Sequence, residues 1–249
     1  MPLIKFYQMS KAVHDMFSSI ARSYDRANDA LSFGVHRLWR KSALRFAGIH
    51  GKHPASALDV CCGTGDFCKA LLQVLHVESQ IIGVDFVFPM LELASLKFSD
   101  LINNQGAALS SPIHFIQGDA ESLPFNELSF DVCTIGFGIR NVDRPIEGLK
   151  EMKRVLRAGG KLVVLEFGTP SNPVVRPFFE LYSKFIMPKL GALISGNKSA
   201  YEYLPETSAR FPCGEDFCDL LKEAGFTNVK WRPFFGGISY VYVGTRGVN

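Results

Sequence analysis

Several features that define other classes of protein are missing from this chain. It contains no block of five or six basic residues, and 27 Lys and Arg against 24 Asp and Glu leave a formal net charge of only +3. That balance is too weak to indicate a nucleic-acid partner. No Cys-x-x-Cys pair occurs among the six cysteines. The sequence therefore predicts reduced thiols in a cytoplasmic protein, with neither a disulfide framework nor a metal site.

Long apolar segments are lacking too. No uncharged apolar stretch reaches the length of a membrane span. The first residues, Met-Pro-Leu-Ile-Lys-Phe-Tyr-Gln, have neither the apolar core nor the cleavage site of a secretory signal. What the chain does have is Phe, at 21 of 249 residues, within a composition that is 47% hydrophobic. This is enough for a sizeable core in one α/β domain or two small ones, and it favours an apolar ligand surface.

The most informative stretch is residues 58–66, Leu-Asp-Val-Cys-Cys-Gly-Thr-Gly-Asp. An apolar run ends there in a Gly-x-Gly turn, and an amphipathic helix follows. Gly63 and Gly65 can adopt positive φ and let a ligand lie against the backbone. Asp59 falls inside the strand pattern, where a carboxylate needs a partner. Its position suits holding a cationic or hydroxylated group over the turn.

The turn differs from a dinucleotide-binding fingerprint in two ways. The third glycine of that fingerprint is replaced by Cys68, and the carboxylates of Asp59 and Asp66 would repel a pyrophosphate. The pattern favours S-adenosylmethionine, which carries a sulfonium, an ammonium and a ribose but no phosphate. The alternative is a plain strand-to-helix turn with a buried structural Asp.

Strand and helix patterns alternate along the rest of the chain. The predicted strands are residues 57–61, 80–84, 113–117, 130–135, 161–167, 226–232 and 238–244. The predicted helices are residues 66–76, 89–101, 212–224 and one that Asp143 caps and Gly159 ends. Residues 10–50 are predicted helical around a polar, turn-prone segment at 22–32. The alternation indicates a mainly parallel sheet with helices on both faces, and the Gly236-Gly237 connection favours antiparallel pairing of the last two strands.

Polar residues follow the predicted strands, where ligands of parallel sheets bind. They are Gly63 to Asp66, Asp85, Asp119, Gly136 to Asn141 and Glu166. Asp85 lies 22 residues after Gly63, where its carboxylate could accept both hydroxyls of a ribose. That reasoning also fits NAD. The alternatives are a helix cap for Asp85 and a turn acid for Asp119.

Longer stretches resemble the class I S-adenosylmethionine-dependent methyltransferases, and more closely the UbiE/MenG/COQ5 family of quinone-biosynthesis C-methyltransferases. The stretches that carry the resemblance are residues 17–25, 31–39, 58–66, 118–125, 137–142, 157–162, 165–167 and 209–212. Phe-Gly-Ile-Arg-Asn-Val and His-Arg-Leu-Trp are the most family-specific. The resemblance implies a Rossmann-like, doubly wound α/β sheet of seven strands with an antiparallel last strand, plus an N-terminal helical segment.

The resemblance also implies how one domain over residues 1–249 is organised. Its expected parts are an N-terminal helical lid at 1–52, a cofactor-binding half at 53–170, a helical substrate-cover insertion at 171–211, and a C-terminal helix and strands at 212–249. The expected cofactor is S-adenosylmethionine. Its expected binding residues are Asp59, Gly63, Thr64, Gly65, Asp85, Asp119, Ala120 and Gly136, with Asp119 and Ala120 at the adenine.

This sequence departs from the family at two of these places. Members usually have Asp-Ile-Asn/Ser-x-x-Met after the second strand, whereas residues 85–90 here read Asp-Phe-Val-Phe-Pro-Met. The apolar replacement is expected to reshape the adenine edge while leaving the ribose acid. Gly136 stands where many members have Ser, which leaves only backbone contact there.

The implied reaction is C-methylation of a polyprenyl quinol. A carbon nucleophile must be electron-rich, so the reduced quinol, as its phenolate, is the expected acceptor. Arg140 and Asn141 are the expected catalytic residues. Arg140 would stabilise the phenolate and Asn141 would fix a ring oxygen. Arg140 cannot easily act as a base. The alternative for Arg140 is an ion pair with a structural acid. Tyr24, Asp25 and His36 are candidate proton relays.

The substrate ring stays open between demethylmenaquinol, favoured here, and a methoxy-polyprenyl-benzoquinol of ubiquinone synthesis. Residues 178–190 are the expected trough for the prenyl tail, with a core helix as the alternative. The expected partners are this quinol, a membrane surface touched peripherally at its inner face, and a possible homodimer, which no feature of the sequence itself shows. An NAD-dependent oxidoreductase and a non-catalytic binding protein are the remote alternatives.

Overall fold

The computed structural model describes residues 2–105, 113–170 and 172–248, and a seven-stranded sheet lies at its centre. The strands are β1 (Ser56–Val60), β2 (Gln80–Asp85), β3 (Ile113–Gln117), β4 (Phe130–Gly136), β5 (Leu156–Phe167), β6 (Thr227–Phe234) and β7 (Ser239–Thr245). Their order is β3-β2-β1-β4-β5-β7-β6. Strands β1 to β5 pair in parallel, and β7 is antiparallel to both β5 and β6. The predicted sheet is therefore confirmed.

Helices cover both faces of the sheet. They are α1 (Pro2–Ser32), α2 (Val35–Phe46), α3 (Asp66–Leu72), α4 (Phe88–Gln105), α5 (Pro145–Val155), α6 (Val175–Leu181), α7 (Met187–Ser195), α8 (Lys198–Arg210) and α9 (Glu215–Glu223). A π-helical turn over Tyr182–Ile186 joins α6 to α7. Among the described residues, no helix combines the length and the apolar composition that crossing a bilayer requires.

Two apolar cores, one on each face, explain why the central strands read as almost continuous apolar runs. Leu58 and Val60 of β1 pack in the core that contains α5 and α9, and Ala57 packs in the opposite core with α2 and α3. Successive side chains of a strand point to opposite faces, so each core takes every second residue. This rigid sheet fixes the strand ends relative to one another.

The structure differs from the sequence pattern at three helix boundaries. The polar segment 22–32 does not turn, because α1 continues to Ser32. Its small residue Ala27 is fully buried in a cluster with Ala200 and Tyr201 of α8. This tertiary packing outweighs the polar character of the segment.

The other two boundaries concern α5 and α4. Helix α5 ends at Val155, and Gly159 lies in β5 with a φ of 77°, beside an irregularity in the β4 pairing. The residue that caps α5 is Arg144, so the prediction of Asp143 was wrong. Helix α4, predicted over residues 89–101, continues to Gln105, where the described residues are interrupted.

Candidate active site

The Gly-x-Gly turn joins β1 to α3 and is tied to the end of β2. Both glycines have positive φ, 53° at Gly63 and 81° at Gly65. The Gly63 N–H donates to Oδ2 of Asp85 at 2.7 Å, and Oδ1 accepts from the Val87 N–H at 2.8 Å. Burial raises the pKa of Asp85, and these backbone donors oppose the rise because they stabilise the carboxylate. The turn and Asp85 therefore form one unit.

A cavity of about 170 Å³, here called the edge cavity, opens at the carboxyl ends of the strands. Of the ten predicted site residues, those that line it are Gly63, Asp85, Asp119, Ala120, Gly136 and Asn141. A Cβ atom added at Gly63 would have Tyr24 as its neighbour, at 4.0 Å, and Tyr24 also lines this cavity. Glycine at position 63 therefore leaves ligand space that a side chain would occupy.

Asp59 does not line the edge cavity but lies buried beneath the turn. Its Oδ1 accepts from Thr134 Oγ1 at 2.6 Å, and its Oδ2 accepts from Cys68 Sγ at 3.5 Å. Burial raises the pKa of Asp59 to about 7, against the lowering effect of these two donors. The contacts are those of the structural alternative, and a role for Asp59 toward the cofactor stays a prediction.

Thr64 faces α1 and does not line the edge cavity. Its Oγ1 donates to Oδ1 of Asp25 at 2.5 Å. Lys97 of α4 donates to Oδ2 of the same Asp25 at 3.0 Å and to Asp66 at 2.6 Å. These four residues, Asp25, Thr64, Asp66 and Lys97, are called the latch cluster because they fasten α1 to the glycine turn. Asp25, a predicted relay candidate, is thus placed in an ion-pair network.

Asp66 is the electrostatic centre of the latch cluster. Burial alone would raise its pKa, but a hydrogen bond from His36 and the charges of Arg40 and Lys97 outweigh burial and hold the pKa well below its usual range. His36 Nε2 lies 3.5 Å and Arg40 Nη1 lies 3.6 Å from Oδ2 of Asp66. The carboxylate therefore stays ionised and holds α2 and α4 against the start of α3.

Two of the predicted glycines make room for aromatic rings. A Cβ at Gly65 would lie 2.7 Å from Phe98, and a Cβ at Gly136 would lie 2.7 Å from Phe67. A serine at position 136 would thus require the Phe67 ring to move. Gly136 nevertheless lines the edge cavity with its backbone, whereas Gly65 is not among the lining residues.

Asp119 follows β3 and lines the edge cavity next to Ala120. Its Oδ1 accepts from the Glu121 N–H at 2.9 Å, which is the contact of a turn acid. Asp119 therefore makes the contact expected of a turn acid, and it also lines the edge cavity. Recognition of the adenine amino group by Asp119 stays a prediction.

Arg140 pairs with Glu166 at the end of β5. Nη1 of Arg140 donates to Glu166 Oε1 at 2.5 Å and to the Phe137 carbonyl at 2.6 Å. Burial raises the pKa of Glu166, while the nearby charge of Arg140 opposes the rise. This is the ion pair that the sequence left open as the alternative. Nε of Arg140 is buried without a hydrogen-bond partner, so the guanidinium is only partly used by Glu166.

A second cavity, of about 490 Å³, adjoins the edge cavity, and we call it the apolar cavity. The residues that line both cavities are Phe17, Tyr24 and Phe137. Its walls come from α1, α2, α6, the π-helical turn, α7 and α8, and it contains Arg140 and the predicted relay candidate His36. Within the predicted trough, Phe178, Phe179, Tyr182 and Met187 line it. No residue of α6 is buried, so α6 is not a core helix, whereas Met187 and Pro188 at the start of α7 are buried.

Asn141 connects the two cavities through a residue that the sequence did not single out. Asn141 lines the edge cavity, and its Oδ1 accepts from the Tyr203 hydroxyl at 3.1 Å. Tyr203 lines the apolar cavity, and burial raises the pKa of its hydroxyl. The pattern held no signal for this contact, since Tyr203 lies 62 residues further along the chain.

Helix α1 supplies further residues that the sequence did not assign to a site. Val13, His14 and Phe17 line the edge cavity, together with the predicted relay candidate Tyr24. His14 packs edge-on against Phe86 with ring centres 5.6 Å apart. Burial raises the pKa of Tyr24. The signal that could have found these residues is their helical spacing, which places them on one face of the helix.

Solved structures place this architecture in a known class. A methyltransferase from Thermotoga maritima, described as a possible histamine N-methyltransferase, is 22% identical, with a TM-score of 0.63 over 93% of this chain and 98% of that one. The [4+2]-cyclase SpnF is 16% identical, with a TM-score of 0.66 over 96% of this chain and 97% of that one. The fold is that of the class I S-adenosylmethionine-dependent methyltransferases, and the cyclase shows that this fold does not by itself define a reaction.

Sequence similarity is more specific. Residues 5–246 match the model of the ubiE/COQ5 methyltransferase family, and the chain belongs to that family. Demethylmenaquinone methyltransferases of Staphylococcus aureus strains JH9 and Newman are each 40% identical over 234 residues, which cover 94% of this chain and 92% of theirs.

Proposed function

We propose that this protein transfers the methyl group of S-adenosylmethionine to a ring carbon of a polyprenyl quinol, with demethylmenaquinol as the acceptor. The observation that carries this proposal is the division of charge between two adjoining cavities. The acidic residues Asp85, Asp119, Glu121 and Asp143 line the edge cavity, and its described lining includes no Lys or Arg. The described lining of the apolar cavity has the reverse character, with Arg40 and Arg140 and no carboxylate.

This division suits the two reactants of such a transfer. A sulfonium donor is cationic, and carboxylates near its cavity favour its binding. A quinol that loses a hydroxyl proton becomes an anionic phenolate, and a guanidinium stabilises that charge. Opposite charges in adjoining cavities therefore support a cationic donor on one side and a phenolate on the other. The names of the Staphylococcus relatives support demethylmenaquinol as the acceptor.

The residues of the edge cavity fit the cofactor. Asp85 would accept the ribose hydroxyls and Asp119 and Ala120 would contact the adenine, which is supported by their position in the wall of the edge cavity, where Gly63 leaves the backbone open. The bound cofactor supplies an electrophilic methyl group. The protein has to align the acceptor carbon with that group and exclude water from both reactants.

Arg140 and Asn141 would act on the acceptor ring. Nε of Arg140 is the free donor for the ring oxygen whose negative charge makes the adjacent carbon nucleophilic. Asn141 is held by Tyr203 at the border of the cavities, where it would fix the orientation of the ring. Glu166 would maintain the position of Arg140 through the buried ion pair.

The residues that line the two cavities support a separate role for each part of the chain. Residues 1–52 would act as a lid over the donor, 53–170 as the cofactor-binding half, 171–211 as the substrate cover, and 212–249 as the completing helix and strands. The prenyl tail would run through the apolar cavity toward α6 and the π-helical turn. Supporting this path, Phe178 and Phe179 line the cavity on that side.

The same cover would touch a membrane surface, where a prenylated substrate resides. The exposed large apolar side chains of this region are Val174, Phe178, Leu181, Phe185, Ile186 and Leu193. Lys184 and Lys189 lie among them and are also exposed. Exposed apolar groups flanked by lysines favour contact with an anionic lipid surface. This contact would be peripheral.

The reaction is tested with radiolabelled S-adenosylmethionine and two acceptors in detergent, demethylmenaquinol and a methoxy-polyprenyl-benzoquinol. We expect product from demethylmenaquinol under reductant, and much less from the oxidised quinone. Equal rates on quinone and quinol would contradict the phenolate mechanism. Product from the benzoquinol alone would move the protein to ubiquinone synthesis. No product from either acceptor, with normal cofactor binding, would overturn the proposal.

Membrane contact is tested by sedimentation with vesicles of phosphatidylglycerol and phosphatidylcholine. Leu181→Glu on α6 should reduce the bound fraction, because it places a charge on the proposed contact surface. The matched control is Leu96→Glu on α4, since Leu96 is similarly exposed, at 64% against 57% for Leu181. Equal losses for both variants would show that the cover has no special part in binding.

A further inference from the structure

Unsatisfied polar atoms concentrate in the apolar cavity. In the part of the chain that the structure describes, five buried side-chain nitrogen or oxygen atoms have no hydrogen-bond partner. Three of them belong to residues that line this one cavity: Trp39 Nε1, Arg140 Nε and the Tyr201 hydroxyl. An unpartnered buried donor destabilises the folded state, and native proteins contain few of them. Their concentration in an otherwise apolar cavity indicates a ligand with polar atoms.

Trp39 and Arg140 approach the same aromatic ring. The Trp39 ring lies edge-on to Phe167 with centres 6.2 Å apart, and Cζ of Arg140 lies 5.5 Å from the centre of that ring. Phe167 is itself stacked on Phe137 at 4.3 Å. The two side chains that carry these donors therefore pack against the same aromatic pair. The Tyr201 hydroxyl is different, because Ser195 of the neighbouring helix lies close to it.

A quinol has two ring oxygens on opposite sides of the ring, and only one of them drives the reaction. The oxygen next to the methylated carbon must carry the negative charge, and Arg140 is assigned to it above. The other oxygen is meta to the methylated carbon, so a charge there gives that carbon no direct activation. A neutral donor is the suitable partner for the second oxygen. The indole N–H of Trp39 is such a donor and cannot accept a hydrogen bond.

We infer that Trp39 Nε1 donates a hydrogen bond to the second ring oxygen and makes the enzyme select quinols over phenols with one ring oxygen. This inference rests on the proposed function. Trp39 contacts the substrate away from the reacting atoms and is a specificity-determining residue. A site built to bond a substrate oxygen rejects an analogue that lacks it, because its own buried donor then stays unpaired.

Turnover provides the first test. The acceptors are demethylmenaquinol and the matching prenylated naphthol that lacks the hydroxyl remote from the methylated carbon. Trp39→Phe should lower kcat/KM about tenfold or more for the quinol and change it little for the naphthol. The control is Trp231→Phe, since Trp231 Nε1 donates to Glu215 Oε1 at 2.7 Å outside both cavities. An equal loss on both acceptors in Trp39→Phe would overturn the inference.

Binding provides the second test, and it needs neither turnover nor a folded Trp39 variant. The chain has two Trp residues, so protein labelled with ¹⁵N-indole gives two N–H signals, which Trp231→Phe assigns. Demethylmenaquinol added under reductant should move the Trp39 signal downfield, and the naphthol should not. An unmoved signal at saturating quinol would exclude the contact. If the wild type methylates neither acceptor, the proposed function fails, and this titration still decides the contact.

Discussion

The edge cavity and the apolar cavity are built in different ways. The edge cavity takes its carboxylates from the ends of neighbouring parallel strands, and the hydrogen bond from Gly63 to Asp85 spans only 22 residues of chain. The apolar cavity gathers side chains from α1, near one end of the chain, to Ile238, near the other. The first depends on strand geometry, whereas the second exists only after several helices have packed. A fold of this kind can therefore keep its donor site while its acceptor site changes.

The largest expected effect concerns the support beneath the edge cavity, and it depends on pH. The pKa of Asp59 is about 7 in the folded protein, against about 4 for an ordinary Asp. Between these values the folded state keeps a proton that the unfolded state has lost, so wild-type stability falls as the pH rises through this window. Asp59→Asn removes this dependence. The stability of the variant relative to wild type should rise by about 3 kcal/mol from pH 4 to pH 7.

Urea denaturation across this pH range measures the effect. Asp219→Asn, at an exposed carboxylate of α9, is the control and should follow the wild-type profile. Parallel profiles for wild type and Asp59→Asn would show that Asp59 is ionised at neutral pH. The edge cavity would then rest on a charged support instead of a neutral one.

The next effect separates the two cavities by removing the charge of the apolar one. Arg140→Met alone would leave Glu166 buried without its partner, so the change is made together with Glu166→Gln. The double variant should lose about 10²- to 10³-fold in kcat, because one donor to the developing phenolate is gone. Its affinity for S-adenosylmethionine, measured by calorimetry, should be unchanged.

Glu166→Gln alone is the control, since it retains the guanidinium and an acceptor oxygen for it, and it should lose much less activity than the double variant. A parallel loss of cofactor affinity in the double variant would mean that Arg140 serves the edge cavity. The proposal that the two cavities carry opposite charges for different ligands would then be wrong.

A smaller effect is expected from Asp85→Asn, which changes a carboxylate of the edge cavity to a neutral amide. Asn has one acceptor oxygen, so it cannot serve the Gly63 N–H, the Val87 N–H and a ribose as the carboxylate can. Affinity for S-adenosylmethionine should fall about 10- to 100-fold. Binding of demethylmenaquinol, followed under reductant, is the internal control and should be unchanged. Equal weakening of both ligands would indicate a general distortion.

The smallest expected effect comes from the latch cluster, and it should reach both cavities. Thr64→Val keeps the shape of the side chain and removes the hydrogen bond to Asp25. Because α1 lines both cavities, both ligands should bind more weakly, by no more than about tenfold each. Thr227→Val is the control, since its hydroxyl bonds only the neighbouring strand β7. A loss confined to one ligand would show that α1 serves that cavity alone.

The sequence predicted the edge of the sheet far better than the apolar cavity. Apolar strands and the residues that end them, such as Asp85 and Asp119, follow from local patterns. Tyr203 and the indole of Trp39 could not be predicted as site residues, because their positions depend on helices that pack from distant parts of the chain. The polar segment of α1 was misread for the same reason, since burial of Ala27 against α8 is a tertiary contact.

Helix α1 links the affinity for the methyl donor to the affinity for the acceptor. Phe17 and Tyr24, two turns apart on this helix, line both cavities at once. Any displacement of α1 therefore reaches donor and acceptor together, and the two binding equilibria are linked. Thermodynamic linkage is reciprocal: the factor by which bound donor strengthens acceptor binding equals the factor by which bound acceptor strengthens donor binding.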